Sequence, residues 1–485
     1  MPVIQFTGFA PDLDPVTPGV ITDCSMLVPT LKGMKGAPGT VATSFSALAS
    51  EVRGAAVVTK LDASTRFFAG LQTKLYEGTN GATWTDRSRA GNYTGGAENR
   101  WRFAQFGDVT IATNKTDTMQ YSTTGAFADL TIKAAIVETV GQFVFAADTN
   151  ESTYGDAPNR WWCSELGNYA GWTPNVSTQC ATGILTSVPG SITAAKRLGA
   201  DIVVYKARGM YLGRYAGPPT IWDFGAEVPG TVGTPCNEAV VDIGTAHIFI
   251  GYEDFYRFDG TRPEPIGAPV REWFFRDLNP NYRYRIRSSH DRVNSLIYFY
   301  YPNASSSDGS INACIVYNYK SNKWGRANRS VDCCIEYITG GVTYEGLGSL
   351  FTTYDSLPTT ISYDSPFFTA GSNVQAIFDS AHTLYTLTGN SASSSVTSGD
   401  MGSDELFITF QGVRLHAISS PTSATLTNYY KNNSGDALTT DQSIAISGNR
   451  FDFLRDARYH RFSIALGGQH EITGFSPMFV EGGTE

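Results

Sequence analysis

Residues 55–88 read AAVVTKLDASTRFFAGLQTKLYEGTNGATWTDRS. The apolar runs AAVVTKL, RFFAGLQ and TKLYEG are strand-length, the breaks between them carry Asp, Ser, Asn or Gly, and TWTDRS supplies a fourth run. Short β-branched and aromatic runs separated by turn formers predict a meander of about four strands. Four strands are the content of one β-propeller blade.

The same order returns downstream: an apolar strand, a polar turn, a strand carrying an aromatic, then a Gly or Asn turn. It is found in FGDVTIATNKTDTMQYSTTGAFADL, in VGQFVFAADTN leading to NRWWCSELGNYAGWTP, and in LGADIVVYKARGMYLGRYAGPPTIWDF. It recurs in TAHIFIGYEDFYRFDGTRPEPI, in NSLIYFYYPNASSSDGSINACIVYNYKSNKWGRA and, more loosely, in VQAIFDSAHTLYTLTGN. With Tyr76, Tyr121, Trp162, Tyr211, Tyr256, Tyr317 and Tyr385 as markers, the separations are 45, 41, 49, 45, 61 and 68 residues. The first four match the spacing of roughly 40–50 residues expected of blades, and the last two imply insertions or a missed blade.

Such a period has a physical cause. A small sheet cannot bury both faces alone, whereas radially stacked sheets cover one another and leave short edges. The chain is therefore expected to be all-β, a propeller of short four-stranded blades over residues 53–387, with a Greek-key sandwich array as the alternative. Residues 1–52, rich in Pro, Gly and Thr, read as an extended arm. From about residue 388, NSASSSVTSGDMGSDE reads as a Ser/Gly linker. Beyond it, ELFITFQGVRLHAIS, SATLTNYYKN, QSIAISG and RFSIALGG alternate like strands, so 388–485 forms a further β module, a platform shared with the arm.

Composition agrees. Aromatics reach 13% and charged residues only 17%, against about 25% in an ordinary soluble domain, and glycine numbers 49. Lys plus Arg is 36 and Asp plus Glu is 45, a formal net charge of −9, which argues against tight, sequence-independent DNA binding. Seven cysteines, an odd number without C-x-x-C, suggest neither a disulfide framework nor a zinc site and fit a reducing compartment. The N-terminal MPVIQFTGFAPDLDP has no basic n-region or apolar h-region, and no run approaches the ~18 apolar residues of a membrane helix.

The candidate chemistry is sparse. In GYEDFYRFDGTRPEPIG, residues 251–267, Asp259-Gly260 is a hairpin-turn signal and Glu253-Asp254 reads as a solvated turn, as do Asp12 and Asp14. The S-x-D-x-G-x-x-W turns of sialidase-like propellers are missing from YKSNKW, TNGATW and GPPTIW, so Trp84, Trp222 and Trp324 read as packing residues. His247, His290, His382, His416, His460 and His470 show no metal spacing, and there is no P-loop or nucleophile elbow. No catalytic residue, cofactor site or metal site is expected. The exception to the acidic average is NYRYRIRSSHDR. If extended, it places Arg283, Arg285 and Arg287 on one face, where they would meet solvent, a subunit interface or DNA in a channel.

Several stretches together resemble a known family, the tail nozzle (tail hub, tubular tail) proteins of short-tailed bacteriophages. They are DPVTPGVITDCSMLVPTLKGMKGAPG, FFAGLQTKLYEG, WRFAQFGDVTIATN, IVETVGQFVFAADTN, RWWCSELGNYAGWTP, HIFIGYEDFYRFDGTRPEPI and RFDFLRDARYHRFSIALGG. The resemblance implies a structural virion protein of the tail, built around a propeller and assembled in the host cytoplasm. It implies a six-fold ring beneath the portal and adaptor, contacts with tail fibres, and a channel through which DNA leaves without specific binding. An acidic channel lining would let the polymer pass. Two rival readings stand beside it. A carbohydrate- or receptor-binding propeller would use exposed aromatics such as Trp161, Trp162 and Trp172, and a polysaccharide-degrading enzyme would need a carboxylate pair in one pocket.

Overall fold

The computed structural model describes residues 3–79, 82–338, 353, 373–391 and 393–481. Six self-contained four-stranded antiparallel sheets are arranged as propeller blades. The first blade contains Gly54–Thr59, Thr65–Gly70, Leu75–Thr79 and Thr83–Asp86, so the stretch that opened the sequence reading is one complete sheet. The second begins with Arg102–Phe106, the third with Lys133–Val140, the fourth with Ile192–Leu198 and the fifth with Val240–Asp242.

A further meander of Arg287–Asp291, Leu296–Tyr301, Ala313–Asn318 and Lys323–Arg326 follows. The closing blade starts with Val331–Ile338 and continues through Asn373–Asp379 and Leu384–Gly389. The first strands touch in sequence around a ring, from the first blade through the meander to the closing blade and back to the first. The meander thus completes the propeller, but its outer strand also joins Leu27–Pro29 and so runs on into a ten-stranded sheet.

All seven marker aromatics fall on the third strand of their sheet: Tyr76, Tyr121, Trp162, Tyr211, Tyr256, Tyr317 and Tyr385. Each packs into a hydrophobic cluster lying between neighbouring sheets. Between the third and fourth blades, for example, Phe145, Trp161, Tyr211 and Trp222 interlock. The aromatic repeat is therefore the repeat of the blade interfaces, where large flat side chains remove the most apolar area from water. The long separation before Tyr317 contains the helix Arg271–Asp277 and a 3₁₀ turn over Pro280–Arg285. About half of the separation before Tyr385 lies outside the described residues.

The platform is a sandwich of two sheets. One carries Leu27–Pro29, Met34–Gly36, Glu471–Glu481, Ile408–Ser419 and Arg450–Ala457 in that order, with Ile4–Gln5 paired to Glu471–Glu481. The other runs Gly8–Phe9, Val20–Ser25, Ser394–Ser398, Tyr459–Gly467, Ser423–Lys431 and Thr439–Ala445. Phe410, Phe451, Phe462, Ile464 and Phe475 fill the space between them. The same cluster continues through Phe255, Phe274, Phe299 and Trp324 into the propeller, so one core joins both parts.

The arm is woven into both parts. Its Gly39–Ala42 pairs with Leu384–Gly389 as the fourth strand of the closing blade. Asp12 accepts from the amides of Glu272 and Trp273, 2.6 and 3.0 Å away, and so satisfies the first turn of Arg271–Asp277. It is not the solvated turn residue expected from sequence. Nor is 390–405 a plain linker. Ser394–Ser398 is an interior strand with Val396 fully buried, and Ser398 Oγ accepts from the amide of Phe462.

Candidate functional site

In a propeller the innermost strands all run the same way along the axis, so the residues that begin them collect at one mouth of the central channel. Here those residues are mostly charged: Arg53, Arg102, Glu238, Arg287 and Asp332 lie at or beside the starts of five inner strands. Glu51, Glu98, Arg100 and Arg285 join them from adjoining loops.

Ion pairs connect most of these groups into two clusters, Arg53–Glu51–Arg100–Glu98–Arg285 and Arg102–Glu238–Arg287. Glu51 meets Arg53 at 3.2 Å and Arg100 at 3.3 Å. Glu98 lies 3.9 Å from Arg100 and also binds Arg285 through both carboxylate oxygens. Glu238 accepts from Arg102 Nε at 2.6 Å and Nη2 at 3.0 Å, while Arg287 Nη1 stands 3.3 Å from Oε2, the oxygen that Arg102 Nη2 also meets. Beside these clusters, His382 Nδ1 lies 2.5 Å from Asp332 Oδ2, and the amide of Val52 donates to the same oxygen.

Arg102 begins the second blade and Glu238 precedes the inner strand of the fifth, so their pair connects non-adjacent blades and bridges the channel. Arg102 Nη1 also donates to the carbonyl of Ala135 on the third blade, and Ser288 Oγ donates to that of Glu238. Burial would raise the Glu238 carboxyl, but Arg102 and Arg287 outweigh it and hold it at about 2. Arg102 shifts upward, because Glu238 outweighs its burial. Arg100 moves down to about 10, first from burial and then from the charge of Arg287.

The three arginines expected on one extended face are divided by the backbone. Asn279 accepts from the amide of Asn281, Pro280 occupies the first turn, and residues Pro280–Arg285 form a 3₁₀ turn rather than a strand. Arg287 is 4% exposed. Arg285 pairs with Glu98 and lies 5.0 Å over the Tyr282 ring. Arg283 turns away to stack 5.0 Å over Tyr252, and its Nε donates to the carbonyl of Pro280. Two of the three thus enter the mouth clusters. Sequence reasoning missed Arg53, Arg100, Arg102 and Glu238, because only the ring closure brings them together.

The acids of residues 251–267 separate in the same way. Asp259 accepts from the amide and hydroxyl of Thr261, and Gly260 adopts φ +102, as a hairpin turn requires. Asp254, however, is buried rather than solvated. It accepts from the amide of Phe255, and Gly267 leaves room for it, since a Cβ there would stand 2.1 Å from Asp254 Oδ1. Trp161, Trp162 and Trp172 are all buried, so they offer no exposed platform for a sugar ring. Among the described residues no group of three or more His, Cys, Asp or Glu is placed to hold a metal, and all seven cysteines are buried and unpaired.

No protein-family model and no curated protein sequence matches the chain. Solved structures with a similar arrangement of strands include virginiamycin B lyase from Staphylococcus aureus, with 8% identity, 71% of this chain and 97% of that one covered, and a TM-score of 0.42. YCF48 from Cyanidioschyzon merolae shares 11% identity over 72% of this chain and 98% of that one, with a TM-score of 0.35. An exo-β-1,3-galactanase from Phanerochaete chrysosporium shares 10% identity over 90% and 100%, with a TM-score of 0.27. At identities this low, no activity transfers from them to this chain.

Proposed function

We propose that the chain is a structural virion protein, the tail nozzle subunit of a short-tailed bacteriophage, acting as a homohexameric ring below the adaptor. The observation that carries this reading is the platform. Both ends of the chain are invested in a sandwich that shares one core with the propeller, a construction suited to holding propellers rigidly out from a ring. One flank of that sandwich presents the terminal strands of both sheets, Thr439–Ala445 and Arg450–Ala457. Leu454 there is 68% exposed. Unpaired strand edges with an apolar side chain favour contact with another chain, and repetition of one head-to-tail contact closes a ring.

The resemblance of seven sequence stretches to nozzle proteins supplies the six-fold symmetry and the partners: adaptor, tail fibres and passing genomic DNA. With the propeller's own channel bridged by Arg102 and Glu238, the DNA path in this reading lies on the axis of the ring, between subunits. Mass photometry of the purified chain, alone and with its adaptor, tests the reading. A six-copy ring is the expected result; a chain that stays monomeric in both conditions and is missing from tail complexes overturns it.

A further inference from the structure

The inner strands of the propeller end at the mouth opposite the charged one, and there the second, third and fourth blades enclose a cavity of about 400 Å³. That volume lies in the range of ligand pockets, roughly 300–1,000 Å³. Its wall is formed by Gln105 and Phe106 at the end of Arg102–Phe106, by Thr139 in Lys133–Val140, by Gln142 in the turn that follows, and by Arg197 in Ile192–Leu198. The rim is backbone: Gly107 and Gly141 turn the chain at φ +57 and +56, and the amide of Gly167 donates to the carbonyl of Gln142 at 2.9 Å. Gln142 and Arg197 are exposed, and Gln105, Phe106 and Thr139 are half-buried, so the whole lining is open to solvent. Its polar groups are unspent. Among the described residues the Thr139 hydroxyl, the Gln142 carboxamide and the Arg197 guanidinium have no hydrogen bond or ion pair. Gln105 is fixed, with Nε2 donating to the carbonyl of Gly107 at 2.7 Å and Oε1 accepting from Thr110 Oγ1 at 2.8 Å, which leaves one N–H and one lone pair over.

Charge narrows the class of ligand. Arg197 and its neighbour Lys196 both act on Glu138, which Lys196 approaches to 3.9 Å. Asp242 acts on the same carboxyl, and Asp108 follows Gly107 on the rim. Two cations thus meet three acids, so no cationic surplus selects an anion, while a guanidinium in the wall repels a cation. The wall is made of strand ends and turn tips, which offer no free edge for an extended peptide to pair with. We propose that the cavity is a saccharide site, in which Arg197, Gln105, Thr139 and Gln142 exchange hydrogen bonds with a neutral sugar unit lying against the Phe106 ring. Sugar hydroxyls donate and accept, as this set of amide, hydroxyl and guanidinium groups requires, and the apolar face of a sugar ring matches an aromatic one. The chemistry is shared by a free sugar and by the sugar units of a cell-surface polysaccharide.

The test is saturation-transfer NMR and calorimetric titration of the full chain with D-glucose, D-galactose, N-acetyl-D-glucosamine and a lipid-free O-antigen polysaccharide, with inorganic phosphate as the anionic control. Saturable binding of at least one sugar probe is expected, and none of phosphate. Gln142→Ala and Arg197→Ala each remove an exposed side chain that bonds nothing else, and Arg197 holds His247 only through its carbonyl, which the substitution keeps. Both variants should therefore unfold at the wild-type midpoint and bind the sugar about fivefold more weakly, the value of one hydrogen bond. Tighter binding of the polysaccharide than of the free sugars assigns the site to a polymer, and binding of the free sugars alone assigns it to the soluble form. Failure of all four sugar probes, unchanged affinity in either variant, or saturable phosphate binding that the same variants weaken overturns the proposal. The site lies within one propeller and the titration scores each chain whatever its oligomeric state, so its failure and that of the nozzle reading are distinguishable.

Discussion

Replacing Glu238 by Gln removes the carboxylate that Arg102 and Arg287 share across the propeller channel. Its side chain is 19% exposed, and its carboxyl sits at about 2 in the folded chain against an ordinary value of 4.5. The difference corresponds to roughly 3 kcal/mol of stability at neutral pH, in line with the cost of breaking a buried ion pair. The folded carboxyl lies below the unfolded one, so this contribution is complete above pH 4.5 and is lost as pH falls towards 2. At pH 3 linkage leaves less than half of it. Urea unfolding followed by tryptophan fluorescence at pH 7 and pH 3 measures both values. Glu238→Gln should be less stable than wild type by about 3 kcal/mol at pH 7, with the gap more than halved at pH 3. A double variant that also carries Arg102→Met should recover part of the loss, because it no longer buries an unpaired charge. Equal stability of Glu238→Gln and wild type at pH 7, or a gap that stays constant on acidification, would refute the account of the bridge.

Other perturbations address other parts of the molecule. Trp162→Ala empties a site 3% exposed between the second and third blades and should cost about 3–5 kcal/mol in chemical denaturation. Val41→Asp places an unpaired charge at a buried position in the strand that completes the closing blade. It should lower stability by about 3 kcal/mol or more and expose the arm to limited proteolysis. Leu454→Asp alters only an exposed edge, so its denaturation midpoint should stay within ~0.5 kcal/mol of wild type. In mass photometry the same variant should fail to form rings.

Much of the fold was legible in the sequence because the signal and the packing coincide. The marker aromatics from Tyr76 to Tyr385 recur with the blades because they fill the interfaces between them. What escaped reading depends on distant partners. Val41 meets Thr386, and Ser394–Ser398 looks like a linker until Val20–Ser25 and Tyr459–Gly467 enclose it. There, hydroxyl side chains inside a sheet mimic the composition of a loop. The arginine stretch was misread locally, since Asn279-Pro280 already signals a capped turn. The mouth clusters could not be seen at all, as Arg102 and Glu238 stand 136 residues apart.

The strand that completes the closing blade also sets a clock. Thr386 and Val41 pair across 345 residues, and at typical synthesis rates of about 5–20 residues per second the ribosome needs roughly 17–70 s to make the distance between them. During that interval five blades and the meander can stack from the first blade onward, while Gly39–Ala42 waits without its partner strand. The ring then shuts only when about four-fifths of the sequence has been made, so a product truncated before Leu384–Gly389 exposes an open edge that quality control can recognise.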